Sequence, residues 1–332
     1  MVTTIRPCQT KPGNSLRSLV TGFVLTKQTE GKSRRTVEFY SENLRRFLWY
    51  NSTHDVPDDV RLLTEWHIRS FLAYVGTEEC RWGLQGNGSE SSHHIVQRTT
   101  VRTYFVVLAN FFGWVVREGF LSDSPTKKIK IAKSKNKVIK PYSIEEISRM
   151  LALCDKDYET NAKFLGSRNR AIILVLVDAG VRLEELVGMK LDDVNTSNGN
   201  IRVLGKGNKE RIVRIGKVAQ KALWRYLMHR PDNTGEKIWL SEESKPLTCS
   251  GIQSTIKRFK VRAGVKGEGS VHRFRHTFAV NFLRNDKNVF NLQYLLGHSD
   301  LDMVRRYTAT LGMEDALKAH ERASPADVMG LR

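Results

Sequence analysis

Residues 178–186 read DAGVRLEEL, and the reading of this stretch decides the fold. Upstream of it, RNRAIILVLVDAG (168–180) is an almost wholly apolar helix, too apolar to face water and therefore buried. Gly180 ends that helix, and LEEL opens the next. Arg182 stands at the junction. An arginine there is usually a solvated surface residue; the other reading makes it part of a site. Glu185, three residues after Arg182, either orients such a site from behind or pairs with a surface lysine.

Outward from this junction the texture stays regular. GNIRVLGKGNKERIVRIG (199–216) alternates like two short strands joined by a turn at Gly205–Asn208. Helices are expected over 217–230, 248–263, 274–285, 289–296 and 301–309, with a last amphipathic piece near 313–321. Ser143 and Glu146 form a capping box that opens a helix after Pro141. Before it, PTKKIKIAKSKNKVIKP (125–141) holds seven lysines and no acid, which suits both a solvated linker and a strap along phosphates. Residues 15–122 show helical periodicity, as in Val37, Tyr40, Leu44, Phe47 and Leu48, and form a bundle of about four helices. The Gly- and Ser-rich stretch 76–94 interrupts them as a surface loop. The expected organisation is an N-terminal extension (1–14), a helical domain (15–124), a basic linker (125–141), a mainly α domain with a small β-sheet (142–311) and a C-terminal helix and tail (312–332).

Composition bounds the function. With 332 residues, 40% hydrophobic content and 14 Phe, the chain can bury two ordinary cores. Its 54 basic and 35 acidic side chains leave a formal charge of +19, which draws in polyanions. Nucleic acid is the first such partner, and an anionic membrane is the rival. No run of about 18 apolar residues exists and the N-terminus lacks a signal-peptide centre, so a cytoplasmic, nucleoid-associated protein without a membrane partner is expected. Cys8, Cys80, Cys154 and Cys249 are scattered, with no CxxC pairing, and read as reduced structural thiols.

Four clusters can carry chemistry. Besides Arg182 there is GKGNKER (205–211), which is neither GxGxxG nor a Walker loop. VHRFRHTFA (271–279) spaces His272 and His276 four apart, but Arg273 stands where a zinc protease needs glutamate, and two arginines oppose a bound cation. LLGHSDLDMVRRYT (295–308) supplies His298 and Tyr307. The combined inventory is Arg182, Lys206, His272, Arg275, His298 and Tyr307. Two planar cations suit the non-bridging oxygens of a phosphate, lysine and histidine pass protons, and a tyrosine hydroxyl is a covalent nucleophile. The clusters hold no carboxylate pair for Mg²⁺, so neither metal nor cofactor is expected. This is the composition of a metal-free phosphodiester transesterification.

In these boxes and their order the chain resembles the tyrosine recombinase (phage integrase) family, including its Xer-type resolvases and mobile-element integrases. AGVRLEEL matches the first arginine box, GKGNKER the lysine hairpin, HRFRH the histidine–arginine box, LGHSD the second histidine and RRYT the nucleophile. The resemblance covers about 142–310, and the helical module before it looks like the family's core-binding, SAM-like domain. It implies that Tyr307 attacks the scissile phosphate to give a 3′-phosphotyrosyl bond, with strand exchange through a Holliday junction in a homotetramer on double-stranded DNA. Accessory DNA-bending proteins or an excisionase are compatible partners. It implies catalytic places for Arg182, Lys206 (general acid), His272 (acid or base near Tyr307), Arg275 and His298. The helix near 312–323 is expected either to pack on its own domain or to dock on a neighbouring protomer.

Three rivals are weighed. A type IB topoisomerase would relax one duplex, but only 31 residues separate Arg275 from Tyr307, too few for a linker domain. A DNA-binding regulator would be expected to lack Tyr307 or an arginine. Within the family, the loop at 76–94 and the tail beyond 322 favour integration and excision of a mobile element over Xer-type dimer resolution.

Overall fold

Helical periodicity in the first part of the chain becomes four helices: α1 Leu16–Thr29, α2 Arg34–Thr53, α3 Glu65–Thr77 and α4 Arg98–Arg117. The computed structural model describes residues 13–77, 98–132, 140–205, 209–267, 271–286 and 288–297. Ser33 caps α2 by accepting from the Thr36 N–H at 3.3 Å. The apolar stripes meet in an aromatic core, where Phe23 lies edge-on to Tyr40, Phe111 and Trp114 at centroid distances of 5.3, 5.6 and 5.7 Å. Val37, Leu44 and Phe47 are buried as their spacing demands, and Tyr40 and Leu48 pack against the same core half-buried. By length and composition α4 could cross a bilayer. Its Val107, Leu108, Phe111, Phe112 and Val115 are instead buried in this core.

The chain divides into two compact units, Met1–Asn136 and Lys137–Arg332. The division falls inside the lysine-rich stretch at 125–141. Its first residues are not free linker, because Ile129 is buried in the core of the first unit and Ile131 packs beside it. Two isoleucines between lysines gain more from apolar burial than a solvated strap would allow.

The second unit is built around α6 (Lys163–Ala179), with α5 (Ile144–Glu159), α8 (Lys217–His229) and α10 (Val271–Asp286) packed on it. The expected burial of α6 holds: Ala171, Ile172, Ile173, Val175 and Leu176 are all buried. The capping box at Ser143 and Glu146 is formed in both directions, at 3.0 and 3.2 Å. Short α7 (Leu183–Gly188), α9 (Cys249–Arg262) and α11 (Val289–Leu296) complete the helices among the described residues. Burial pushes the Cys154 thiol up to about 12, which suits an inert packing residue.

The strand pair read at 199–216 is β2 (Asn200–Leu204) and β3 (Glu210–Arg214), antiparallel with Val203 opposite Arg211. A third strand, β1 (Val194–Asn195), pairs with β2 through Val194 and Ile201. Two residues carry no readable period, so this strand was invisible in sequence. Helix α10 starts at Val271, earlier than the expected 274, because HRFRH is too polar to announce a buried helix. The helices expected at 301–309 and 313–321 lie outside the described residues, as does the loop from residue 78 onward.

Gly180 ends α6 in the left-handed region (φ 58°, ψ 25°), and a Cβ there would enter the Phe278 ring. Gly180→Ala should therefore lose at least about 1–2 kcal/mol from the backbone alone, with the clash added. Urea unfolding of the two proteins measures this, and equal midpoints would contradict it.

Candidate active site

The turn after α6 delivers Arg182 to the N-terminus of α7 in an extended conformation (φ −73°, ψ 156°). Glu185, in the first turn of α7, reaches back to it. One carboxylate oxygen accepts from the Arg182 backbone N–H at 2.8 Å, and the other accepts from Arg182 Nη1 at 2.8 Å. Glu185 thus holds its own helix start and the guanidinium together. Of the two readings open in sequence, orientation of Arg182 is the one realised.

A third member comes from the sheet. Arg211 shares the inner face of β3 with Val213, and its side chain is only 9% exposed. Its Nη1 and Nη2 donate to the two Glu185 oxygens at 2.7 and 2.8 Å, a bidentate pair, and its Nε donates to the Leu295 carbonyl at 2.8 Å. Sequence reasoning missed Arg211. The signal was present: it shares the parity of Val213 and Ile215, both buried, so strand alternation alone points it inward.

Arg275 lies on α10, one turn after His272. It is buried, with Nη1 donating to the Gly180 carbonyl and Nη2 to the Leu296 carbonyl, both at 2.7 Å. Arg182 Nη2 approaches the Gly297 carbonyl at 3.5 Å. Three arginines therefore meet three successive carbonyls at the C-terminal end of α11, where the helix dipole is negative. Gly297 closes that end in the left-handed region (φ 62°, ψ 46°), and a Cβ there would come within 3.0 Å of Arg211.

These charges set the proton chemistry. Desolvation alone would raise the Glu185 carboxyl, but hydrogen bonds from Arg211 and the Arg182 backbone, with the Arg211 charge, hold it at about 2. His272 is exposed at one edge, yet desolvation by the surrounding chain, then the charges of Arg275 and Arg182, lower its pKa below 6.5. Both causes favour the neutral imidazole, the form able to accept a proton.

The structure thus brings Arg182, His272 and Arg275 into one site. Lys206, His298 and Tyr307 lie outside the described residues. Arg273, between the two histidines, is structural: it donates to Glu146 and the Lys140 carbonyl, both at 2.8 Å, and stacks over Tyr142 at 4.0 Å. His272 is exposed whereas His276 is buried, and no group of three or more His, Cys, Asp or Glu side chains among the described residues is placed to hold a metal ion.

Because the Glu185 pKa is lowered on folding, its contribution is present above pH 4.5 and is lost as pH falls toward 2. Glu185→Gln should cost roughly 3 kcal/mol at pH 7. The deficit should shrink between pH 5 and pH 3 in urea unfolding. A deficit independent of pH would remove the carboxylate from the network.

Comparison with known proteins gives the family and the fold. The profile of the phage integrase family matches residues 142–312. The tyrosine recombinase XerD of Listeria monocytogenes serotype 4b (strain F2365) is 28% identical over 302 residues, covering 88% of this chain and 95% of that protein. The fold is shared with the XerH site-specific recombinase bound to palindromic difH substrate in a post-cleavage complex (TM-score 0.68, 22% identity, 93% of this chain and 84% of that one). It is shared equally with a lambda integrase tetramer bound to a Holliday junction (TM-score 0.67, 18% identity, 90% and 78%). The matched region spans the arginine frame, the hairpin and both histidine boxes, and through it this chain belongs to the phage integrase family, the tyrosine recombinases.

Proposed function

We propose that this chain is a site-specific DNA recombinase that integrates and excises a mobile element by cutting and rejoining DNA through Tyr307. One observation carries the reading: Arg182 and Arg275 converge at the end of α11, immediately before His298 in the chain, and His272 lies close enough to both to feel their charges. The arginine forks suit the non-bridging oxygens of a scissile phosphate and would stabilise the charge of its transition state. An arginine in that position contributes about 10³–10⁵ in other phosphoryl transfers.

The Tyr307 oxygen attacks phosphorus while its proton passes to neutral His272. A phenol of pKa about 10 is roughly one part in a thousand ionised at pH 7, a deficit of about 4 kcal/mol, so a nearby base matters. The bond from phosphorus to the 5′ oxygen breaks as Lys206 protonates that oxygen. His298 donates a hydrogen bond to the phosphate. A 5′-hydroxyl from a partner duplex reverses the sequence, and because one ester replaces another, no ATP is consumed. Four protomers on two duplexes, with a Holliday junction between the two exchanges, fit this chemistry, and the lambda integrase tetramer on such a junction supports that assembly. Its place is the cytoplasm, with the nucleoid.

A second reading, Xer-type resolution of chromosome or plasmid dimers, is favoured by the match to XerD along 95% of that protein. Mapping attachment junctions in the DNA flanking the gene decides between the two. For the chemistry, Tyr307→Phe should keep DNA binding and give no covalent adduct on a nicked suicide substrate. An adduct at wild-type level would move the nucleophile elsewhere, first to Tyr294, which is exposed on α11.

A further inference from the structure

Strand β3 places an arginine where its alternation calls for an apolar side chain. All three Arg211 guanidinium nitrogens are engaged inside the protein, two by Glu185 and one by the Leu295 carbonyl. The neighbouring neck of the hairpin is closed by the Gly205 N–H donating to the Lys209 carbonyl at 2.8 Å. That neck rests on the ion pair, since a Cβ at Gly205 would lie 3.6 Å from both Arg211 Nη1 and Glu185 Oε1. Gly205 directly precedes Lys206.

We propose that Arg211 is a positioning residue that docks the neck of the β2–β3 hairpin on Glu185 and on the end of α11, and thereby sets where Lys206 is delivered relative to Arg182 and Arg275. The proposal rests on the reading of Lys206 as the acid for the leaving 5′ oxygen. A bidentate fork resists rotation as well as separation, so the hairpin base is fixed in angle and distance. The carboxylate that receives the fork also grips Arg182. A shift of the hairpin is therefore opposed by the same group that holds the phosphate-facing cation. General acid catalysis requires such placement, because displacement by about 1 Å can cost about 10²-fold.

The test uses the full chain with Arg211→Met, Arg211→Lys and, as control, Lys206→Ala. Half-site binding, amide hydrogen exchange across 204–210, and single-turnover cleavage of oxygen and 5′-bridging phosphorothiolate substrates are measured. Arg211→Met should bind a half-site almost as wild type, exchange faster across the hairpin, and cleave the oxygen substrate about 10–100-fold more slowly. The sulfur leaving group needs no proton and should recover most of that loss, as it should for Lys206→Ala. Arg211→Lys, which keeps charge without the fork, should fall between, and it carries the same comparisons if the methionine variant does not fold. Unchanged hairpin exchange overturns the proposal whatever Lys206 does. So does a loss that sulfur fails to recover in the Arg211 variants while recovering it in Lys206→Ala. If sulfur recovers neither, the acid reading of Lys206 fails, and hairpin exchange alone decides the docking.

Discussion

The Glu185 carboxylate, buried between two guanidinium groups, is the contact on which the rest of the site depends. It receives both terminal nitrogens of Arg211, one from Arg182, and the Arg182 backbone N–H. A buried carboxylate is costly to desolvate, and it is tolerated here because every one of those donors is charged or at a helix start. Without it, two arginines would face each other across a poorly hydrated gap. With it, both guanidinium groups are held in fixed orientation.

The second support is the end of α11. Carbonyls at a helix C-terminus have no intrahelical donor, and three guanidinium groups take up those of Leu295, Leu296 and Gly297. The partial negative charge there offsets some of the repulsion among the three cations. Together with the Arg275 bond to the Gly180 carbonyl, these bonds tie the end of α6, the start of α7, strand β3 and helix α10 to the end of α11. Packing of the apolar α6 fixes the first two and α10 relative to one another, and the sheet brings in the third. The site is therefore a by-product of core packing as much as of its own polar bonds.

Two arginines two residues apart on α10 show how tertiary partners divide similar side chains. Both are almost fully buried. Arg273 turns toward Glu146, the Lys140 carbonyl and the Tyr142 ring, and so latches the opening residues of the second unit. Arg275 turns toward Gly180 and Leu296. Helical geometry separates them by about 200°, and that rotation sends one to the opening residues of the unit and the other to the ends of α6 and α11.

Much of this was legible in the sequence, because short-range physics writes it there. The amphipathic helices of the first unit, the buried α6, the Ser143 capping box and the alternating hairpin follow from local periodicity and capping chemistry. The order of the boxes around Arg182, Lys206, His272, Arg275, His298 and Tyr307 carried the family. Other features had no local signature. Strand β1 is two residues long, and α10 begins in a polar run that only its buried partners stabilise. The burial of Ile129 within a lysine tract depended on a core formed by residues far from it in the chain. Glu185 had two readings until a partner from β3 chose between them. Arg211 pointed inward by strand parity, but its reason for doing so, a carboxylate 26 residues away and a helix-end carbonyl 84 residues away, is a long-range fact. Periodicity fixes which face a residue occupies. Only the folded chain decides what that face meets, because ion pairs and helix-end contacts are set by the packing of elements whose separation in sequence carries no information about their distance in space.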